Sequence, residues 1–294
     1  AANEARDRGV RLTDAPYDIR GFPRGHSPDL GALEDAATSR DWIEPMQKVH
    51  SRFRGTPGSF AQFGDSITYS GAFWSAMAVA PRGMSPATQA AYHAVTNRMI
   101  PECWRRKGPS YGNQGSMTIR WARENVAAWL TTLNPEVAVI LFGSNDIAQP
   151  ISIEEHERTT REVVSACLAN GTVVLLTTPP PQSGRLPACL EFAAAIRGIA
   201  RDLKVPLVDY CHEIMARRPF DWDGAAPEFR SPEGVYDVPT LISKDGVHPS
   251  NPRDSFNDFS EEALSKNGYG LRNHMTLLAY SDLIQQVLAA DSAR

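Results

Sequence analysis

What most constrains this chain is a repeated alternation of two textures. Short, almost wholly apolar runs end abruptly at small polar loops, and segments with one apolar face at helical spacing fill the intervals. The runs are Ser59–Phe63, Glu136–Phe142, Thr172–Thr178 and Pro206–Asp209. A strand with no polar alternation is covered on both faces, as in a parallel sheet. The helical candidates are Asp41–Arg52, Pro86–Met99, Thr118–Leu133, Ser152–Ala169, Pro187–Leu203 and a closing amphipathic helix, Tyr269–Ala289. In Thr118–Leu133, for example, Ile119, Ala122, Val126 and Trp129–Leu130 recur on one face. Ser152 with Glu155 three residues later reads as a capping box. Strands alternating with helices of this length predict parallel β-α-β units, with their chemistry in loops at the strand C-terminal ends.

Several classes of function are excluded early. The net charge is −4 and the scattered basic residues form no stripe, so no basic field exists to attract nucleic acid. No apolar run approaches the length of a membrane span. At 294 residues the chain suits one large domain or two small ones. Residues 1–55, rich in Arg, Asp, Pro and Gly, read as an arm packed on a single domain of 56–294. The four cysteines, Cys103, Cys167, Cys189 and Cys211, show no C-x-x-C spacing but leave one or two disulfides open. The Ala-Ala-Asn start and the even cysteine count lean towards secretion or a periplasmic location over the cytoplasm.

Four fingerprints fail by near misses. Gly25-His26-Ser27-Pro28-Asp29 lacks the closing Gly of a nucleophile elbow. His212-Glu213-Ile214-Met215-Ala216 lacks the second His of a zinc helix. Gly268-Tyr269-Gly270 has neither a third Gly nor a preceding strand, and nothing matches a phosphate-binding P-loop.

Three segments stand at strand ends. Phe63-Gly64-Asp65-Ser66 follows the first strand, where a Gly permits a tight turn and a Ser just beyond it presents a hydroxyl. Phe142-Gly143-Ser144-Asn145-Asp146 follows the second, and a side-chain amide there donates to a developing oxyanion without carrying charge. Asp245-Gly246-Val247-His248 lets a carboxylate hold an imidazole in the tautomer that accepts a proton from Ser. Taken singly, each is commonly an N-cap, a turn or an idle loop histidine. Their joint occurrence in this order carries the weight.

In these blocks the sequence resembles the SGNH hydrolases, the GDSL-type esterase and lipase superfamily, over about residues 59–290. The resemblance implies a three-layer α/β/α fold of flavodoxin-like type with a mostly parallel central sheet. It implies a triad of Ser66, His248 and Asp245. It further implies an oxyanion hole from the N–H groups of Ser66 and Gly115 and the amide of Asn145. Gly115 is chosen over Gly112 for its place after Asn113 and before Thr118. No metal or organic cofactor is implied. Ser66 and Gly115 stand far apart for this family, which suggests an insertion around residues 81–109.

The expected substrate is a small-molecule or carbohydrate ester with a short acyl group, acetyl foremost, because the added segments are polar with scattered Trp and Arg. A general arylesterase or lipase, and a sugar O-acyltransferase with the same residues, are the alternatives. A metal-dependent phosphoesterase using Asp65, Asn145, Asp245 and His248 would need more ligands at strand ends. A carbohydrate-binding module on a degenerate hydrolase fold would not need the full set of catalytic-type groups. Trp104, Tyr111, Trp121 and Trp222 are either core residues or the lining of a sugar cleft.

Overall fold

The structure, a computed structural model, describes residues 40–229 and 234–289. Most of the expected N-terminal arm, residues 1–39 with the Gly25–Asp29 near miss, lies outside the described residues. Helix α1 (Ile43–His50), within the expected arm, buries Met46 and Val49 in the main hydrophobic core.

Four strands form the sheet: β1 (Phe60–Gly64), β2 (Val137–Leu141), β3 (Val173–Thr177) and β4 (Leu207–Val208). They lie side by side in chain order and every neighbouring pair is parallel, Phe60 opposite Val137, Val137 opposite Val173, Leu176 opposite Leu207. Every residue of β1, β2 and β3 is buried, as their unbroken apolar texture requires.

Stepping one strand at a time in one direction has a geometric consequence. Right-handed crossovers then deposit on one face the helix that leads into each next strand. The connecting helices are α4 (Ile119–Leu133), α6 (Ile153–Ala169) and α7 (Leu186–Leu203), and they pack side by side in that order. The chain must cover the opposite face with other material. It uses α10 (Gly268–Leu283), α3 (Pro86–Arg98) packed along it, and α1 against the turn of wider helix, Ile284–Leu288, that continues α10. The result is three layers, α/β/α. Short helices α2 (Ser66–Tyr69), α5 (Ser144–Ala148), α8 (Tyr210–Arg217) and α9 (Glu261–Leu264) stand in the loops.

Two expectations need correction, and one question left open is answered. The closing helix is not amphipathic: Tyr269, Arg272, Asn273, Thr276 and Tyr280 are buried along with Leu271, Leu277 and Leu283, while Leu278 is exposed. It runs between the sheet and α3, and several of its buried polar side chains find partners there. Asn273, for instance, accepts from Trp74 N–H at 2.7 Å and donates to Ala72 O at 2.9 Å. Ser152 caps α6 by accepting from Glu155 N–H, but the Glu155 carboxylate turns to Arg120 at 2.6 Å instead of closing a capping box. The four cysteines are free and buried, so they form no disulfides.

The edge of β1 is covered by residues 103–114. Gly64 N–H donates to Gly112 O at 3.0 Å, Gln114 N–H to Gly64 O at 3.2 Å, and Asn113 Nδ2 to Gln62 O at 2.9 Å. Sheet edges need such cover. Here the covering segment also delivers residues 115–118 to the C-terminal end of β1.

Candidate active site

The end of β1 turns into α2 at Gly64, and no larger residue fits there. A Cβ on Gly64 would lie 2.1 Å from Thr68 Oγ1 and 2.6 Å from Leu141 O. Asp65 is the N-cap: its Oδ1 accepts from Ile67 N–H at 2.9 Å, and the carboxyl is wholly buried. Burial pushes it up to about 7, opposed by that N–H and by the charge of Arg272. Ser66, the first residue of α2, is left facing the loops at the C-terminal edge of the sheet.

Across from it, residues 243–250 form a tight loop organised by one carboxylate. Asp245 Oδ1 accepts from Ser243 Oγ, Val247 N–H and His248 N–H, each at 2.8 Å. Its Oδ2 lies 2.8 Å from His248 Nδ1, and His248 Nε2 lies 2.8 Å from Ser66 Oγ. Burial disfavours the Asp245 charge, but the hydrogen bonds from His248, Val247 and Ser243 hold the carboxyl well below the usual range. An ionised carboxylate only accepts, so Nδ1 carries the proton and Nε2 is free to accept from Ser66. The Asp245 hydrogen bond raises His248 above its ordinary value, against its partial burial. The ring of Tyr236 stands edge-on to the imidazole, centroids 6.2 Å apart.

Gly115 lies beside Ser66: a Cβ on it would be 4.0 Å from Ser66 Cβ, with nothing closer. Gly112 packs instead on the Phe63 ring, where a Cβ would sit 2.2 Å from a ring carbon. Asn145 is in the first turn of α5, reached through Gly143 at a φ of +129°. One Asn145 Nδ2 hydrogen bonds Met117 O at 3.0 Å, which ties it to the loop after Gly115 and leaves the second amide hydrogen available.

Supporting residues that the sequence did not single out fix these loops. Asp146 is buried and accepts from Ile119 N–H, the start of α4, at 3.2 Å and from His156 Nδ1 at 3.0 Å. His156 rises from α6 and packs on Phe192 with centroids 4.7 Å apart. Gln182 donates to Ser144 O at 2.9 Å, and Ser183 N–H to Gly246 O at 2.7 Å, joining the Asn145 and His248 loops through the end of β3. Asp146 could have been found, as it closes the Asn145 block. His156 and Gln182 carry no local signal.

The metal reading asked Asp65, Asn145, Asp245 and His248 to surround one point. Asp65 faces inward to Ile67, and among the described residues no group of three or more His, Cys, Asp or Glu converges. Of the aromatic residues considered for a sugar cleft, Trp104 and Trp222 are buried, Trp121 packs on Trp129 and Phe142, and only Tyr111 is exposed. Among the described residues no helix is long and apolar enough to cross a membrane.

Residues 63–252 match the GDSL-like lipase/acylhydrolase family, a span that holds all the residues of this site. No curated protein matches the chain. Among solved structures, a lipase/acylhydrolase from Enterococcus faecalis aligns at 16% identity and TM-score 0.47, covering 76% of this chain and 95% of that one. A psychrotrophic esterase from Pseudoalteromonas sp. aligns at 12% identity and TM-score 0.48, covering 78% and 99%. A catalytic mutant of an acetylxylan esterase from Geobacillus stearothermophilus aligns at 16% identity and TM-score 0.46, covering 80% and 96%.

Proposed function

The chain belongs to the GDSL-like lipase/acylhydrolase family and is a carboxylic ester hydrolase, and we propose that Ser66, His248 and Asp245 are its catalytic triad. The continuous relay from Asp245 Oδ2 through His248 to Ser66 Oγ, 2.8 Å at each step, is the observation that carries this reading. Ser66 Oγ attacks the ester carbonyl as its proton passes to His248 Nε2. Asp245 holds the Nδ1 proton and stabilises the imidazolium that forms. The tetrahedral oxyanion is received by the N–H groups of Ser66 and Gly115 and the free amide hydrogen of Asn145. His248 then gives the proton to the leaving alcohol, and water repeats the cycle on the acyl-enzyme. The hydrolase domain in this reading is 56–294.

We propose a short-acyl substrate, with acetyl esters of carbohydrates foremost. Polar segments frame the site, and Tyr236, exposed beside His248, offers a ring edge and a hydroxyl to a sugar. A general arylesterase is the second reading, and one feature favours it. A groove of about 550 Å³ lies between Gly71–Ala72, just past α2, and Asn251, just past His248. Val79 and Phe256 line it with Arg105 and Arg253, an apolar lining suited to a larger acyl or aryl group. Acyl-chain preference decides between them. Acetyl esters should be cleaved faster than octanoyl esters, and acetylated sugars should release acetate. Preference for octanoyl esters would move the assignment to the second reading. Loss of all turnover in a folded Ser66→Ala variant is expected in both, and its persistence would remove the triad.

A further inference from the structure

Beneath the Ser66 turn lie two cations that the hydrolytic steps do not use, Arg272 fully buried and Lys107 half-buried. Lys107 comes from the segment covering the β1 edge. Its Nζ donates to Gln62 Oε1 at 2.8 Å, Thr68 O at 2.7 Å and Phe73 O at 3.2 Å, so all three ammonium hydrogens are used. Arg272 comes from α10 and is fully buried. Its Nη1 donates to Ile67 O and its Nη2 to Thr68 Oγ1, each at 3.0 Å. Both stand over the Phe73 ring, with the guanidinium carbon 3.6 Å and the ammonium 5.3 Å from its centroid.

A helix of four residues cannot hold itself. Its last carbonyls have no partners within the helix, and a single turn fixes several dihedral angles for one hydrogen bond. In α2 the N-terminal end is held by Asp65, and the carbonyls of Ile67 and Thr68 are held by the two cations. Arg272 also fixes the Thr68 hydroxyl, which is the group packed on Gly64. The end of the turn is thus clamped from the edge segment and from α10 at once, and Ser66 stands between that clamp and the Asp65 cap. Apolar residues would fill such a space at less cost than buried charge. Burial, with Arg272 close by, pulls Lys107 down to about 7, and burial pulls Arg272 to about 10.

We propose that Lys107 and Arg272 are positioning residues for the esterase reaction, holding α2 so that Ser66 meets His248 and the oxyanion donors in register. This inference rests on Ser66 being the nucleophile. Lys107 spends its three hydrogens on protein acceptors and Arg272 is fully buried, so their loss should act on kcat and not on KM.

The test uses the full chain in two variants. Lys107→Met keeps the length and removes the donors, whereas Arg272→Lys keeps a charge but cannot make both contacts. Each is assayed below its melting temperature with p-nitrophenyl acetate, and separately for the rate at which a p-nitrophenyl phosphonate labels Ser66. A displacement of about 1 Å at a reacting group costs roughly 10²-fold, so Lys107→Met should lower kcat by about 10–100-fold with KM within about 2-fold, and slow labelling equally. Arg272→Lys should fall between it and the wild type. Wild-type kcat and labelling in either folded variant, or a rise in KM alone, overturns the proposal. If one variant does not fold, the other decides by the same criteria. A wild-type protein that neither hydrolyses the ester nor is labelled refutes the nucleophile assignment itself.

Discussion

Replacing Asp245 by Asn separates charge and tautomer from packing, because the two side chains are nearly the same shape. The structure says how Asn would sit. Three donors, Ser243 Oγ, Val247 N–H and His248 N–H, all point at Oδ1. The Asn carbonyl oxygen must take that position, which turns its NH₂ towards His248 Nδ1. A donor there forces Nδ1 to accept and moves the ring proton to Nε2, which then donates towards Ser66 and no longer accepts from it. The base is present but in the wrong tautomer. In serine proteases this change costs about 10⁴ in kcat, so a loss of roughly 10³–10⁴ is expected here, with the partly exposed loop leaving some room for relaxation. A second effect follows from the direction of the His248 shift. The wild-type enzyme needs neutral His248, whose pKa stands above its ordinary value mainly because Asp245 favours the imidazolium. Its kcat/KM should therefore fall as the pH drops through a midpoint above 6.5. Without the carboxylate, burial lowers the pKa against only the smaller pull of Asp65, so the residual activity of Asp245→Asn should persist to lower pH. The assay is kcat/KM for p-nitrophenyl acetate from pH 5 to 9. Activity within about 10-fold of wild type, with an unmoved acid limb, would refute both the tautomer argument and the role of Asp245.

Asn145→Ala should lower kcat by roughly 10²–10³ with little change in KM, because its free amide hydrogen acts on the oxyanion; a change in KM alone would make Asn145 a binding residue. Gly64→Ala forces Cβ against Thr68 Oγ1 and Leu141 O and should cost about 1–3 kcal/mol, read as a fall in Tm of roughly 2–4 °C per kcal/mol; an unchanged Tm would contradict the close approach. His156→Ala leaves Asp146 with one fewer donor and opens a space on Phe192, so Tm should fall by an amount equivalent to about 2–4 kcal/mol, while KM stays near wild type. Thermal unfolding followed by circular dichroism measures both stability effects.

What the sequence discloses about this fold follows from where each signal is written. The sheet is legible because β2 and β3 are covered on both faces, and that leaves an unbroken apolar run bounded by Gly or Pro. The connecting helices are legible because each keeps one wet face. α10 is misjudged for the opposite reason: packed between the sheet and α3, it hides Arg272, Asn273 and Thr276 as well as Leu271 and Leu277 and leaves Leu278 exposed, so its wet-face pattern is false. The Glu155 carboxylate is claimed by Arg120, a partner 35 residues away that no local pattern contains. The same asymmetry runs through the site. Ser66 and Asn145 lie in compact blocks at the ends of β1 and β2, Asp245 and His248 in a compact block of a later loop, and chain order alone suggests their meeting. Their supports, His156, Gln182, Lys107 and Arg272, are single polar residues on distant segments, and only the fold assembles them. Gly115 is an intermediate case, set beside Ser66 by the segment that covers the β1 edge.

The central claim is that Ser66 is an activated nucleophile. The measurement that addresses it most directly is reaction of the full chain with a p-nitrophenyl phosphonate, counting p-nitrophenol released and locating the adduct by mass spectrometry of the digested protein. The account predicts one equivalent released per chain, loss of esterase activity in the same proportion, and the phosphonyl group on the peptide that contains Ser66. Release without modification of Ser66, or modification of another residue with the same loss of activity, would contradict it.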